Sequence, residues 1–213
     1  MGKTNNGILG GFTGTIGTVT GYMRNGQNVI RTRTSSIKDK RTPLQLAQRE
    51  KIAVCSRFTN AFTGTDFFRK SFPAYGHTGT GHNRATSALM SRALTGVYPD
   101  IALNYAQVLV SKGRLPGAHQ AKVNLKLKNV LQFSFADNST DGIAAADDTC
   151  ILVAYAPNLQ QAIFTLHGGF RKDKKASLNV TAFKGHIVET WIGFLSKGEA
   201  DASDSVWTGT VTV

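Results

Sequence analysis

From residue 119 onward the chain falls into seven short runs of alternating or β-branched residues separated by polar turns, at 122–127, 129–135, 149–156, 161–166, 176–182, 186–195 and 205–213. This pattern limits the fold more than any other feature of the sequence. Each run is short for a helix, and residues branched at Cβ sit well on a pleated surface. Seven such strands in about 95 residues predict an antiparallel two-sheet sandwich. The cysteines are Cys55 and Cys150, which lie far apart and lack metal-type spacing. With no cysteine pair to bridge the sheets, a fibronectin type III-like sandwich is expected over the antibody kind.

The region before residue 119 reads differently. Gly7, Gly10, Gly11, Gly14 and Gly17 punctuate the opening, without the prolines or the strict register of collagen. Thr18, Thr20, Tyr22 and Arg24 then alternate with Val19, Gly21 and Met23, and Asn25-Gly26 supplies a tight turn. Residues 15–24 and 27–35 are therefore expected to pair as a two-stranded ribbon with Arg31 and Arg33 on its returning arm. Such a ribbon is marginal alone in water. Thr42-Pro43-Leu44-Gln45 starts a helix, with a capping hydroxyl, a proline in the first turn and a glutamine placed to complete the box. A second helix is expected from Asn83 or Thr86 to Leu94. The fold class is thus mainly β with a small helical part. A basic ribbon-and-helix module is expected over 1–118, and a sandwich able to fold alone over 119–213.

Charge supports that division. The chain carries a net charge of +12, and residues 119–213 hold nine cations against nine acids, so the whole excess lies in the first 118 residues. A polyanion, an acidic surface or an acidic neighbouring subunit is expected as partner. Glycine and threonine break every apolar run near the N-terminus, no run approaches a membrane span, and the acylation pattern fails at Asn6. The expected location is the cytoplasm, or a released particle or filament, with no membrane partner.

The glycine-rich opening, the Arg24-Asn25-Gly26 turn, Arg31, the helix start Thr42-Pro43 with Gln45-Leu46-Ala47-Gln48-Arg49, Val110-Ser111-Lys112-Gly113 and the ending around Asp204-Ser205 resemble an uncharacterised protein family of Bacteroidota. The similarity runs along nearly the whole chain. It implies family membership and brings no activity with it. Phe135 stands where the resemblance implies a tryptophan.

Catalytic patterns are missing: there is no phosphate loop, nucleophile elbow, paired-histidine zinc helix or Cys-x-x-Cys. His77 and His82 flank a glycine-rich loop without a third metal ligand in view. Asp137, Ser139, Asp141 and Asp148 occupy positions 1, 3, 5 and 12 of a calcium-type loop, but strands flank it, an aspartate replaces the bidentate glutamate, and the same residues serve ordinary turns. The run 171–175 reads as a solvated basic turn.

No enzyme, cofactor or metal is expected. The reading is a self-assembling structural protein, of the filament or virion-component kind. Its glycine-rich arm would add to a neighbour's sheet edge through Gly14, Ile16 and Gly17. Arg24, Arg31, Arg33, Lys40 and Arg41 would meet the acidic loops of another copy, where Asp137, Asp141, Asp147, Asp148, Asp201 and Asp204 lie. The alternative is a nucleic-acid-binding accessory protein that sets the same cations on phosphates.

Overall fold

The computed structural model describes residues 2–4, 10–33, 39–76, 78–126 and 129–213. They form two compact units, 1–42 and 43–213. The boundary expected after residue 118 falls inside the larger unit.

In the smaller unit, β1 (Lys3–Thr4), β2 (Phe12–Ile16), β3 (Val19–Arg24) and β4 (Gln27–Thr32) make one antiparallel sheet in chain order. The expected ribbon is present as β3–β4, turned at Asn25 and Gly26, both of positive φ. Its first arm is shorter than expected, because Gly17 (φ +57°) opens a second turn that ends β2 at Ile16 and returns the chain as β3 from Val19. Residues 12–16 therefore pair within their own chain. The close backbone approach expected from another copy is made here by Phe12 over Gly21, where an added Cβ would lie 2.8 Å from the Phe12 ring.

The larger unit opens with α1 (Pro43–Asn60), α2 (Phe67–Ser71) and α3 (Gly81–Arg92), followed by a short pair, β5 (Leu94–Thr95) and β6 (Ala102–Leu103). The proline-led start of α1 is as expected. α3 begins two residues before Asn83, with the Thr80 hydroxyl accepting from the Asn83 N–H as its cap. Then come β7 (His119–Lys126), β8 (Val130–Ala136), β9 (Thr149–Ala156), β10 (Gln161–Thr165), β11 (Lys175–Asn179), β12 (Ile187–Leu195) and β13 (Val206–Thr212). One sheet has the order β11-β8-β7 and the other β10-β9-β12-β13, all antiparallel. The fourth strand of the set, β10, stays beside the third rather than crossing to the smaller sheet. That departs from the immunoglobulin constant arrangement and leaves the fibronectin-like one.

The layers number three, not two. Leu131, Phe133 and Phe135 of the smaller sheet meet Leu152, Ala154, Ile192 and Phe194 in the sandwich core. The opposite face of the larger sheet presents Ile151, Val153, Tyr155, Trp191 and Leu195 to Phe58, Phe62, Phe67 and Leu89 of the helices and their connections. Strand β9 reads Cys-Ile-Leu-Val-Ala-Tyr-Ala because both of its faces are dry. The helices therefore complete a core, and the 43–118 part of the module that was expected to stand apart from the sandwich is its third layer.

An ion pair ties that layer to the loop after β12. Lys70 of α2 places Nζ 2.7 Å from Oε2 of Glu199, and His167 Nε2 lies 3.3 Å from Oε1. The hydrogen bond from Lys70 holds the Glu199 carboxyl below its ordinary value of 4.5. A depressed carboxylate stabilises the fold fully above its unfolded pKa, and the contribution fades as pH falls through the folded one. Glu199→Gln should therefore lower the thermal midpoint at neutral pH. It should also flatten the decline of that midpoint with acidification below pH 4.5. Parallel melts across pH check this, and identical slopes in both proteins would contradict it.

Candidate functional site

The small sheet has two unlike faces. Pairing sets Ile16 beside Val19, Ile30 beside Gly21 and Met23 beside Asn28 on one face. Thr15, Thr20 and Arg31 line up on the other, with Tyr22 beside Val29. The first face is apolar and open: Ile16 is 50% exposed, Met23 52% and Ile30 62%. The second is polar and basic. Thr15 and Thr20 share a hydroxyl hydrogen bond of 3.3 Å, and the Arg31 guanidinium stands 5.4 Å from the Tyr22 ring centre. Among the described residues strand β4 has one partner, β3, so its other side is an edge of the sheet. Residues 1–42 carry seven Lys/Arg against Asp39 alone.

Among the residues expected to carry assembly, Ile16, Arg24 and Arg31 are exposed on this sheet, and Arg33 just after it. Lys40 and Arg41 are exposed beyond it, with Arg41 Nε 3.7 Å from Asp39. Gly14 and Gly17 serve the chain's own backbone, with φ of +107° and +57°. A side chain at Gly17 would meet open space, so the cost of substitution there lies in backbone strain rather than obstruction.

The acidic loops are spoken for. Asp137 lies 3.6 Å from Lys174 and accepts from the Ser139 N–H; Asp141 lies 3.9 Å from His119, and Asp147 3.0 Å from Lys197. Asp148 is buried and gives one oxygen, Oδ2, to both the Ala145 N–H at 2.9 Å and Arg171 Nε at 3.1 Å. Asp148 is thus committed to Arg171 and the Ala145 N–H through Oδ2, unlike the carboxylate that the twelfth place of a calcium loop presents to its ion. Among the described residues no cluster of three or more His, Cys, Asp or Glu could hold a metal ion. His77 lies outside the described residues. Arg171, expected in a solvated turn, is wholly buried.

Burial pushes the Cys55 thiol up and that of Cys150 to about 12, so neither is a thiolate at neutral pH. Among the described residues, no helix is long and apolar enough to cross a membrane.

One arrangement escaped sequence reasoning altogether. The segments 110–114 and 201–205, about 90 residues apart, are clasped backbone to side chain. Ser205 Oγ accepts from the Val110 N–H at 2.9 Å, Asp204 Oδ1 from the Gly113 N–H at 3.1 Å, and Asp201 Oδ1 from the Arg114 N–H at 3.1 Å and from the Tyr75 hydroxyl. Two of the short motifs behind the resemblance are the two halves of this clasp. The only trace in the sequence was the pair of Ser/Asp/Gly-rich stretches, which ordinary turns also produce.

A family model described as a family of unknown function (DUF6266) matches residues 11–209, nearly the whole chain. No curated protein and no solved structure matches it.

Proposed function

We propose that this chain, which belongs to the DUF6266 family of unknown function, is a non-enzymatic structural protein whose copies join through residues 1–42 and present the layered body 43–213. The observation that carries the reading is the open apolar face of the small sheet, with Ile16, Met23 and Ile30 each at least half exposed. A sheet of this size needs its apolar face covered to be stable in water.

Charge selects the partner and the geometry. The body's acidic loops are engaged internally, so they offer little to a neighbour's arginines. Edge-to-edge pairing of two β4 strands would set Arg31 of each copy on one continuous basic face. Packing the two apolar faces together, roughly 10 Å apart as in any sandwich, turns both basic faces outward and keeps like charges separated. The occupant is thus the same face of a second copy, joined about a twofold axis.

Size-exclusion chromatography with light scattering tests this. The full chain should assemble, and the chain lacking residues 1–42 should be a folded monomer. Ile16→Asp with Ile30→Asp should weaken association at least a hundredfold, about 2.8 kcal/mol. A full chain that stays monomeric at every concentration, or a truncated one that still assembles, would end the proposal.

A second reading rests on those outward basic faces. Arg24, Arg31 and Arg33, with Lys40 and Arg41, are placed to neutralise phosphates of a nucleic acid without reading bases. Replacing Arg31, Arg33, Lys40 and Arg41 with Gln should abolish such binding and leave the apolar joint intact.

A further inference from the structure

A cleft of about 460 Å³ opens between α3 and the 112–114 segment. Its walls carry three cations, Arg84, Lys112 and Arg114, and no carboxylate. None of the three has an ion-pair partner among the described residues. Arg84 donates only to carbonyls: Nε and Nη2 to Phe72 O at 3.1 and 2.6 Å, and Nη1 to Gly79 O at 2.9 Å. The Arg114 guanidinium stands over the Tyr75 ring, its carbon 4.1 Å from the ring centre. The acid behind them, Asp201, is occupied by the Tyr75 hydroxyl and by the Arg114 and Ala202 N–H groups. The remaining wall is largely apolar, with Phe72, Pro73, Tyr75 and Ala88.

We infer that this cleft binds a small phosphate monoester, its phosphoryl group held by Lys112 and Arg114, with Arg84, fixed on the Phe72 and Gly79 carbonyls, adding its charge, and its organic part against Tyr75 and Pro73. Three cations line the cleft, while the two carboxylates behind it, Asp201 and Asp204, are turned to the backbone N–H groups of 113 and 114; the positive excess at the wall is what a dianion relieves. Guanidinium forks and an ammonium point charge are together the usual means of holding phosphoryl oxygens. The volume is that of a small-molecule site, within about 300–1,000 Å³.

Three features prepare the site before any ligand arrives. The clasp to residues 201–205 fixes the backbone of 110–114. Burial pushes the Tyr75 phenol up, and its bond to Asp201 adds to the shift, so it stays a neutral donor. At Gly113 a side chain would collide with the Ala202 carbonyl and the Tyr75 hydroxyl, so the segment can lie this close only as glycine. A rigid cationic loop loses little entropy on binding.

Adenosine 5′-monophosphate titrated calorimetrically into the full chain at low ionic strength tests the inference, with adenosine, inorganic phosphate and citrate in parallel. The monophosphate should bind, adenosine should give no heat, and phosphate and citrate should bind at least tenfold more weakly. Lys112→Gln and Arg114→Gln should each weaken binding at least tenfold. Both side chains are exposed and bonded to nothing in the core, and unchanged circular dichroism will show the variants folded. Lys51→Gln, on the exposed side of α1, should change nothing. Absence of monophosphate binding, affinity untouched by the cleft variants, or citrate binding as tightly would each overturn the inference. So would binding lost with residues 1–42 and kept in the cleft variants. The light-scattering result for assembly is independent of all four.

Discussion

A fragment of residues 119–213 should fail to fold as a soluble monomer, whereas one of residues 43–213 should fold. The cut at 118 removes the helices while keeping every strand of both sheets of the sandwich. It uncovers Ile151, Val153, Tyr155, Trp191 and Leu195, none more than 3% exposed in the chain. Fully burying one such side chain is worth about 1.5–3 kcal/mol, so the five represent roughly 8–15 kcal/mol. That is comparable with the whole net stability of an ordinary domain, about 5–15 kcal/mol. The Phe58 ring, 4.8 Å from Tyr155 and 5.9 Å from Trp191, would also be lost. Circular dichroism and light scattering on the two fragments decide it: a monomeric, cooperatively melting 119–213 would show that the helices merely decorate the sandwich.

The second large effect is expected at Arg171. Its side chain is fully buried, yet it satisfies three acceptors: Asp148 Oδ2 at 3.1 Å, Asn138 Oδ1 at 2.6 Å and the Pro116 carbonyl at 3.1 Å. The guanidinium also lies 3.7 Å from the centre of the Phe194 ring, which packs edge-on against Phe135. One residue thereby pins the entry to β7, the loop between β8 and β9, and the turn before β11. Arg171→Ala would leave the Asp148 carboxylate buried without its cation, a loss of about 3–5 kcal/mol. Arg171→Lys keeps the charge but not the fork, and should recover only part of that. Lys172→Ala, one residue on and exposed, should stay within about 0.5 kcal/mol of wild type. Urea unfolding measures all three. A loss for Arg171→Ala no larger than that of Lys172→Ala would remove the pinning role.

The same residue shows how sequence and structure divided the information. Arg171-Lys172-Asp173-Lys174-Lys175 looks like a solvated turn because four of its five residues are charged and exposed. No local pattern separates the one arginine whose partners lie 23, 33 and 55 positions away. Asp148 was open to misreading for the same reason, since a carboxylate at the twelfth place of an Asp-rich loop suits a cation until an arginine from elsewhere occupies it.

What the sequence determined by itself was the set of elements. Alternation along Val130–Ala136, the Asn25-Gly26 turn and the Thr42-Pro43 helix start are read from neighbours a few residues apart, and each element formed near where its pattern placed it. The seven runs after residue 119 also implied the sandwich, because their number and spacing leave few other ways to bury their apolar faces. The layering was decided by tertiary structure. The unbroken apolar run of β9 carried the hint that both its faces are covered, but what lies on the second face depends on contacts between Phe58 and Tyr155, nearly a hundred residues apart. The basic charge of residues 43–118 suggested a separate module, because composition records what a segment shows to solvent. Only its few buried phenylalanines record what it is packed against, and that surface was the one that joined it to the sandwich.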